Sequence, residues 1–143
     1  MQGMMFYTDV GKKAKIESAY MDGSNRKILV TENLISPNGL AIDFEENILY
    51  WFDSGTHTLE RITFSGDQRK VVTGDGLPYP TRLVVYGKKV FWTDRNTSGI
   101  HAVDKTNGRN HKIYGKMCLN FVFCAQHPSF PPPSWSLAVH GEF

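Results

Sequence analysis

Tyr50-Trp51-Phe52-Asp53 decides how this chain is read, because its pattern occurs three times. Phe6-Tyr7-Thr8-Asp9 and Phe91-Trp92-Thr93-Asp94 keep the order aromatic, aromatic, any residue, aspartate, and the aspartates at 9, 53 and 94 are 44 and 41 residues apart. Each copy leads into an alternating segment: Lys15 to Tyr20, Thr58 to Thr63 and Gly99 to Asp104. A glycine turn follows, at Gly23, Gly66 and Gly108, and then a basic-to-apolar run starting at Arg26, Arg69 and His111. Four features recurring in one order three times identify an internal repeat, which has to be recognised before any fold is assigned.

Every element of the repeat reads as a short strand. β-Branched and aromatic residues alternate with polar ones, no stretch holds a 3.6-residue apolar period, and Asp-Gly, Ser-Gly and Asn-Gly mark hairpin turns. Between the motifs lie two further strands, Gly39 to Phe44 and Arg82 to Tyr86, each introduced by a proline (Pro37, Pro80) expected to halt pairing before the strand starts. Four strands in a period of roughly 40–45 residues is a β-propeller blade. The expected fold is therefore all-β: an open, partial propeller of about 2.75 blades. Its repeat region covers residues 4–116, as a remnant at 4–30 and blades at 39–73 and 82–115.

Composition excludes several classes of function. Sixteen Lys+Arg against 14 Asp+Glu leave a formal charge of +2, too small for nucleic acid or a membrane surface to be the main partner. No apolar run approaches the roughly 20 residues that cross a bilayer. Met1 to Val10 has no basic region followed by an apolar one, so no signal peptide is expected there. Two cysteines do not make a disulfide scaffold. No Ser/His/Asp constellation, Cys/His metal spacing or phosphate-cradling glycine loop is present, so neither catalytic residues nor a cofactor are expected. The five histidines fall in no spacing that implies a pH switch.

The motif residues read as structural. Tyr50 and Trp51 point to opposite sides of one strand, and both sides of a blade are covered by neighbours. The same holds for Phe91 and Trp92, and Tyr7 occupies the matching place in the first copy. Asp9, Asp53 and Asp94 end their strands, where a carboxylate accepts hydrogen bonds from the next turn's N–H groups. Recurrence once per repeat favours this role over catalysis. Gly23, Gly39 and Gly66 stand where turns or strand entries need backbone freedom.

Tyr50-Trp51-Phe52-Asp53, Met21-Asp22-Gly23-Ser24-Asn25-Arg26 and Pro37-Asn38-Gly39-Leu40-Ala41-Ile42-Asp43 resemble the YWTD, or class B, repeats of the low-density-lipoprotein receptor family, most nearly the receptor-related and Wnt co-receptor branch. The resemblance implies a six-bladed propeller on the extracellular side of the plasma membrane. It belongs there to a membrane-anchored parent that binds protein ligands or packs against sibling modules, without enzymatic activity.

Strand alternation gathers the loops at 31–38, 53–57, 74–80 and 95–98 at one end, and recognition residues belong on such a face. In some of the resembled receptors an asparagine there receives an asparagine of the ligand. Asn38 matches that place by motif; otherwise it tolerates a positive φ before Gly39. Tyr79 is an aromatic rim candidate or a turn residue between two prolines, and His57 and Arg95 are exposed-loop candidates. Asn96-Thr97-Ser98 is a glycosylation sequon that, if occupied, would partly cover this face.

Two other readings stay open. Lactonase-like propeller hydrolases also carry Asn-Gly-Leu at a blade entrance, as a calcium ligand, and Asn38 would fill that role. A truncated product with no function of its own would expose bare blade faces and self-associate. After Lys116 the repeat stops: residues 117–143 hold no lysine or arginine, and contain Cys118, Cys124 and a Pro-rich run. This segment is expected to be a poorly ordered, divergent tail, with a small disulfide loop or an added strand at 119–123 as alternatives.

Overall fold

The computed structural model describes residues 3–74, 77 and 79–116. The tail expected at 117–143, with its Cys118–Cys124 loop and 119–123 strand, lies outside the described residues. Eleven strands form three separate antiparallel sheets, with no helix among the described residues. The first sheet is β1 (Met4–Asp9), β2 (Lys15–Tyr20) and β3 (Lys27–Val30), in chain order. The second is β4 (Pro37–Asp43), β5 (Ile48–Asp53), β6 (Thr58–Thr63) and β7 (Lys70–Thr73). The third is β8 (Pro80–Tyr86), β9 (Lys89–Asp94), β10 (Gly99–Asp104) and β11 (Lys112–Lys116). Each is a blade, and together they form an open, partial β-propeller.

The prolines behave differently from the expectation. Pro37 and Pro80 are the first residues of β4 and β8, in register with Asp53 and Asp94. A proline in that position starts the ladder, since the N–H it lacks is not yet called on. A bulge between Asn38 and Ala41 follows, with Gly39 at φ 58°.

The two-residue side-chain period sorts the aromatic pair. Trp51, with Leu49 and Ile62, joins Ile16 and Val30 of the first blade in one apolar cluster. Tyr50 and Phe52 join Val90, Trp92 and Val103 of the third blade in another. Tyr50, Trp51 and Phe52 have no exposed surface, and Phe52 meets Trp92 edge to face at 5.7 Å. The second aromatic, Trp51 or Trp92, therefore packs on the preceding blade, and the first, Phe6 or Tyr50, on the following one.

The outer hairpin also reaches backwards. A Cβ at Gly66 would touch Leu29 of the first blade at 3.5 Å, whereas one at Gly108 would lie 2.2 Å from the Val72 carbonyl oxygen of the second. Gly108 also has φ 67°, a region that disfavours any side chain. Gly108→Ala is expected to cost about 2 kcal/mol through strain and a widened seam. Urea titration checks this, and Gly23→Ala, with nothing near its Cβ, should lose only the αL term of about 1 kcal/mol.

Candidate functional site

The loops at one end of the blades are stitched by the motif aspartates. Asp53 Oδ1 accepts from the N–H groups of Gly55 (2.8 Å), Thr56 (3.2 Å) and Ser36 (3.0 Å), and Oδ2 from Ile35 (2.8 Å). One carboxylate thus fixes both its own turn and the loop entering the innermost strand. Asp94 repeats this with Asn96 and Thr97 on Oδ1 and Tyr79 on Oδ2. Asp9 holds Gly11 at 2.9 Å. Burial by itself would raise the Asp53 and Asp94 pKa values, but the converging backbone donors outweigh it and hold both below the ordinary carboxylate range. Two backbone bonds complete the stitching, Ser54 N–H to Ser36 O at 2.9 Å and Arg95 N–H to Tyr79 O at 3.1 Å.

Asn38 lies on β4 beneath this frame. Its Nδ2 donates to Ser54 Oγ at 2.5 Å, while its Oδ1 is buried with no hydrogen-bond partner. The positive φ belongs to Gly39 and not to Asn38, so backbone tolerance does not explain the asparagine. Gly39 itself lets β4 close on β8: a Cβ there would meet the Thr81 carbonyl and Phe52 at 3.4 Å. The position matching Asn38 in the third blade is Thr81, whose hydroxyl bonds Thr93. The repeat does not require an amide here.

The other candidates are scattered around the rim. Tyr79 is 63% exposed and adjoins the exposed Arg95 through the backbone bond above. His57 is exposed, with φ 56°, and Ser98 takes the same conformation, φ 50°, at the equivalent place. That conformation gives the His57 backbone a turn-closing role. Asn96 is exposed in its turn. Among the described residues no hydrogen bond joins Asn38 to Tyr79, His57 or Arg95. A depression of about 380 Å³ lies apart from Asn38, lined by Asn33, Thr56, Thr58, Glu60 and Arg69.

Reading motif by motif passed over a second repeated unit. Glu17 pairs with Arg26 (2.9 Å), whose guanidinium lies over the Tyr7 ring at 5.4 Å. Glu60 pairs with Arg69 (2.8 Å), which lies over Trp51 at 5.6 Å and also bonds the Glu32 and Asn33 carbonyls of the entering loop. The Glu-to-Arg spacing of nine residues was visible in both copies. The third blade replaces the pair by His101 and His111, ten residues apart, stacked on Trp92. The structure thus brings together two of the histidines that the sequence left unrelated.

The profile of the low-density lipoprotein receptor repeat class B matches residues 3–44, the span from β1 through the β4 strand that carries Asn38. The chain is 32% identical over 93% of its length to the vitellogenin receptor Yl of Drosophila melanogaster, and 40% identical over 72% to the mouse low-density lipoprotein receptor-related protein 5. A solved nidogen/laminin complex contains a chain that superposes with TM-score 0.65 and 40% identity, over 71% of this chain and 39% of its own. The chain carries, at residues 3–44, a repeat of the low-density lipoprotein receptor class B family. It spans 7% and 6% of the length of the two receptors. Phe6, Tyr7 and Asp9 of the first motif copy lie within the matched class B repeat. A regucalcin from Agrobacterium tumefaciens superposes with TM-score 0.64 at 14% identity, a likeness of fold alone.

Proposed function

We propose that this class B repeat segment is a non-enzymatic, extracellular receptor module that binds a protein ligand on the loop face, with Asn38 at the centre and Tyr79, His57 and Arg95 at the rim. The unit doing so is residues 4–116, with 117–143 as a separate segment. The observation that carries the reading is the unpartnered Asn38 Oδ1. A buried amide oxygen without a donor costs about 1–3 kcal/mol, which an incoming N–H recovers. With Nδ2 already turned to Ser54, the side chain offers both halves of an amide, suited to reading another amide. The receptor names of the relatives, and Tyr79 standing out beside Arg95, support the same reading.

Selection of a random peptide library on the immobilised 143-residue chain tests it. Bound peptides should be enriched in asparagine and glutamine, and Asn38→Ala should weaken them roughly 10- to 100-fold, the affinity equivalent of about 1.4–3 kcal/mol. The fold should be unchanged. Peptides that bind Asn38→Ala equally well would end the proposal.

The same oxygen suits calcium, which favours the hydrolase reading. Among the described residues, however, no three His, Cys, Asp or Glu side chains converge around a common point, so that reading lacks its carboxylates here. Calcium titration by calorimetry decides between them: tight binding abolished in Asn38→Ala would replace the receptor reading.

A further inference from the structure

We propose that Asn96 is an N-glycosylation site: its side-chain amide takes the carbohydrate, and the Ser98 hydroxyl presents that amide to the transferase. The assignment rests on the extracellular part of the reading above, because the transferase meets only chains that enter the secretory path. It does not rest on the ligand site. The third blade departs from its siblings at two places in one turn, and the first is Asn96. Two residues after the motif aspartate the other blades carry glycine, Gly11 and Gly55. In the second blade a side chain is barred there, since a Cβ on Gly55 would lie 2.3 Å from Ile35. In the third, Asn96 stands exposed. Its backbone N–H serves the turn, bonding Asp94 Oδ1 at 2.9 Å, while its side-chain amide makes no hydrogen bond among the described residues.

The second departure is Ser98. It has φ 50° at the place where the second blade sets His57 at φ 56°. Apart from glycine, the residues enriched at positive φ are asparagine, aspartate and histidine, and serine is not among them. Its hydroxyl makes no hydrogen bond among the described residues either, so neither backbone conformation nor bonding in the turn accounts for serine here. Thr97, between the two, keeps the residue type of Thr56. Its N–H bonds Asp94 as that of Thr56 bonds Asp53, and its hydroxyl is engaged by Asp94 and His101. The turn thus uses Thr97 and leaves free the side chains on either side of it. Those are the two that an Asn-x-Ser acceptor requires, on the exposed loop where it has to lie. No other asparagine of the chain is followed two residues later by serine or threonine.

The transfer needs an oligosaccharide carried on a lipid diphosphate. Asn96 Nδ2 attacks C1 of the first sugar, the bond from C1 to the diphosphate oxygen breaks, and the lipid diphosphate leaves with the electron pair. Nδ2 gives up one of its two protons to a base of the transferase, and nothing is oxidised or reduced. The Ser98 hydroxyl, free of the turn, bonds the transferase and seats the amide. The product adjoins Arg95, so a hydrated carbohydrate bounds the loop face on that side.

Translation of the 143-residue chain behind a cleavable secretory leader, in the presence of microsomes, tests the site, with protease protection reporting import separately. The imported chain should carry the added mass of one glycan, lost on treatment with peptide N-glycosidase. Asn96→Gln, changed at an exposed position, should lose the shift entirely. Ser98→Gly should lose it too. Glycine suits φ 50°, so that loss comes from the missing hydroxyl and not from a strained turn. Ser98→Thr returns a hydroxyl and should keep the shift. An imported chain without the added mass overturns the assignment and leaves the extracellular reading standing. A shift that persists in Asn96→Gln or Ser98→Gly, or that disappears in Ser98→Thr, overturns it as well.

Discussion

Asp53→Ala is expected to lower the stability of the chain by about 4 kcal/mol, because four backbone N–H groups lose their acceptor at once and each buried orphan costs about 1–3 kcal/mol before water repays part of it. The loss should be seen as a lower urea midpoint. Damage should spread beyond the turn at 54–57 to the loop at 31–36, since the same carboxylate holds both. Asp53→Asn keeps one acceptor oxygen but turns an amide towards a donor, and should cost about half as much. The pH dependence follows from the depressed Asp53 and Asp94 pKa values. Their stabilisation is complete above the unfolded carboxylate value of about 3.9 and disappears as pH falls through the lower folded values. Stability should therefore drop steeply below about pH 4, and less steeply in Asp53→Asn, as measured by urea titrations between pH 5 and pH 2.

Lys105→Ala should be nearly as damaging, for a different reason. Lys105 is 5% exposed, and its ammonium lies 2.6 Å from Asp43 and 2.8 Å from Glu46 of the preceding blade. Burial opposes its charge, but the bonds to Asp43 and Glu46 prevail and hold it protonated beyond the usual lysine range. Its contribution is thus complete below the unfolded value of about 10.4 and lost only at higher pH. Removing the cation leaves the buried Asp43 carboxylate uncompensated, at a cost of about 3–5 kcal/mol. Asp43 still accepts from the Glu45 and Glu46 N–H groups, so an amide can replace it. The pair Asp43→Asn/Lys105→Met should recover at least half of the loss. A double variant as unstable as the sum of the single ones would show that the residues act independently.

How far the sequence could be read follows from what each feature depends on. The strands and their faces were legible at Tyr50-Trp51-Phe52-Asp53 because a two-residue period and a turn residue are local. The aspartate turn was legible for the same reason, but not the second loop on Asp53: Ile35 and Ser36 lie 18 and 17 residues away, brought close only when β4 pairs with β5. Lys105 was invisible. Its place in the repeat is that of Phe64, which packs on Phe6 at 4.7 Å, so the two seams use unlike chemistry at one position. The Glu–Arg spacing of nine is local enough to read in two copies, and the one-residue insertion before His111 hides its third occurrence. Asn38 was singled out by motif, but only the geometry shows that Oδ1 lacks a donor and that Gly39, not Asn38, carries the unusual φ.

The backward reach of the outer hairpins has a kinetic consequence. Lys27 Nζ meets the Ser65 carbonyl 38 residues on, Gly108 meets Val72 after 36, and Lys105 meets Asp43 after 62. No seam waits for the whole chain, and in each the later segment docks on a sheet whose strands precede it in the chain. A polypeptide leaving the ribosome from its N-terminus offers these surfaces in the order they are needed. Blades can add one after another over separations of 36 to 62 residues, so the time to order each new one is set by about one to one and a half repeats of chain and not by the length of the protein.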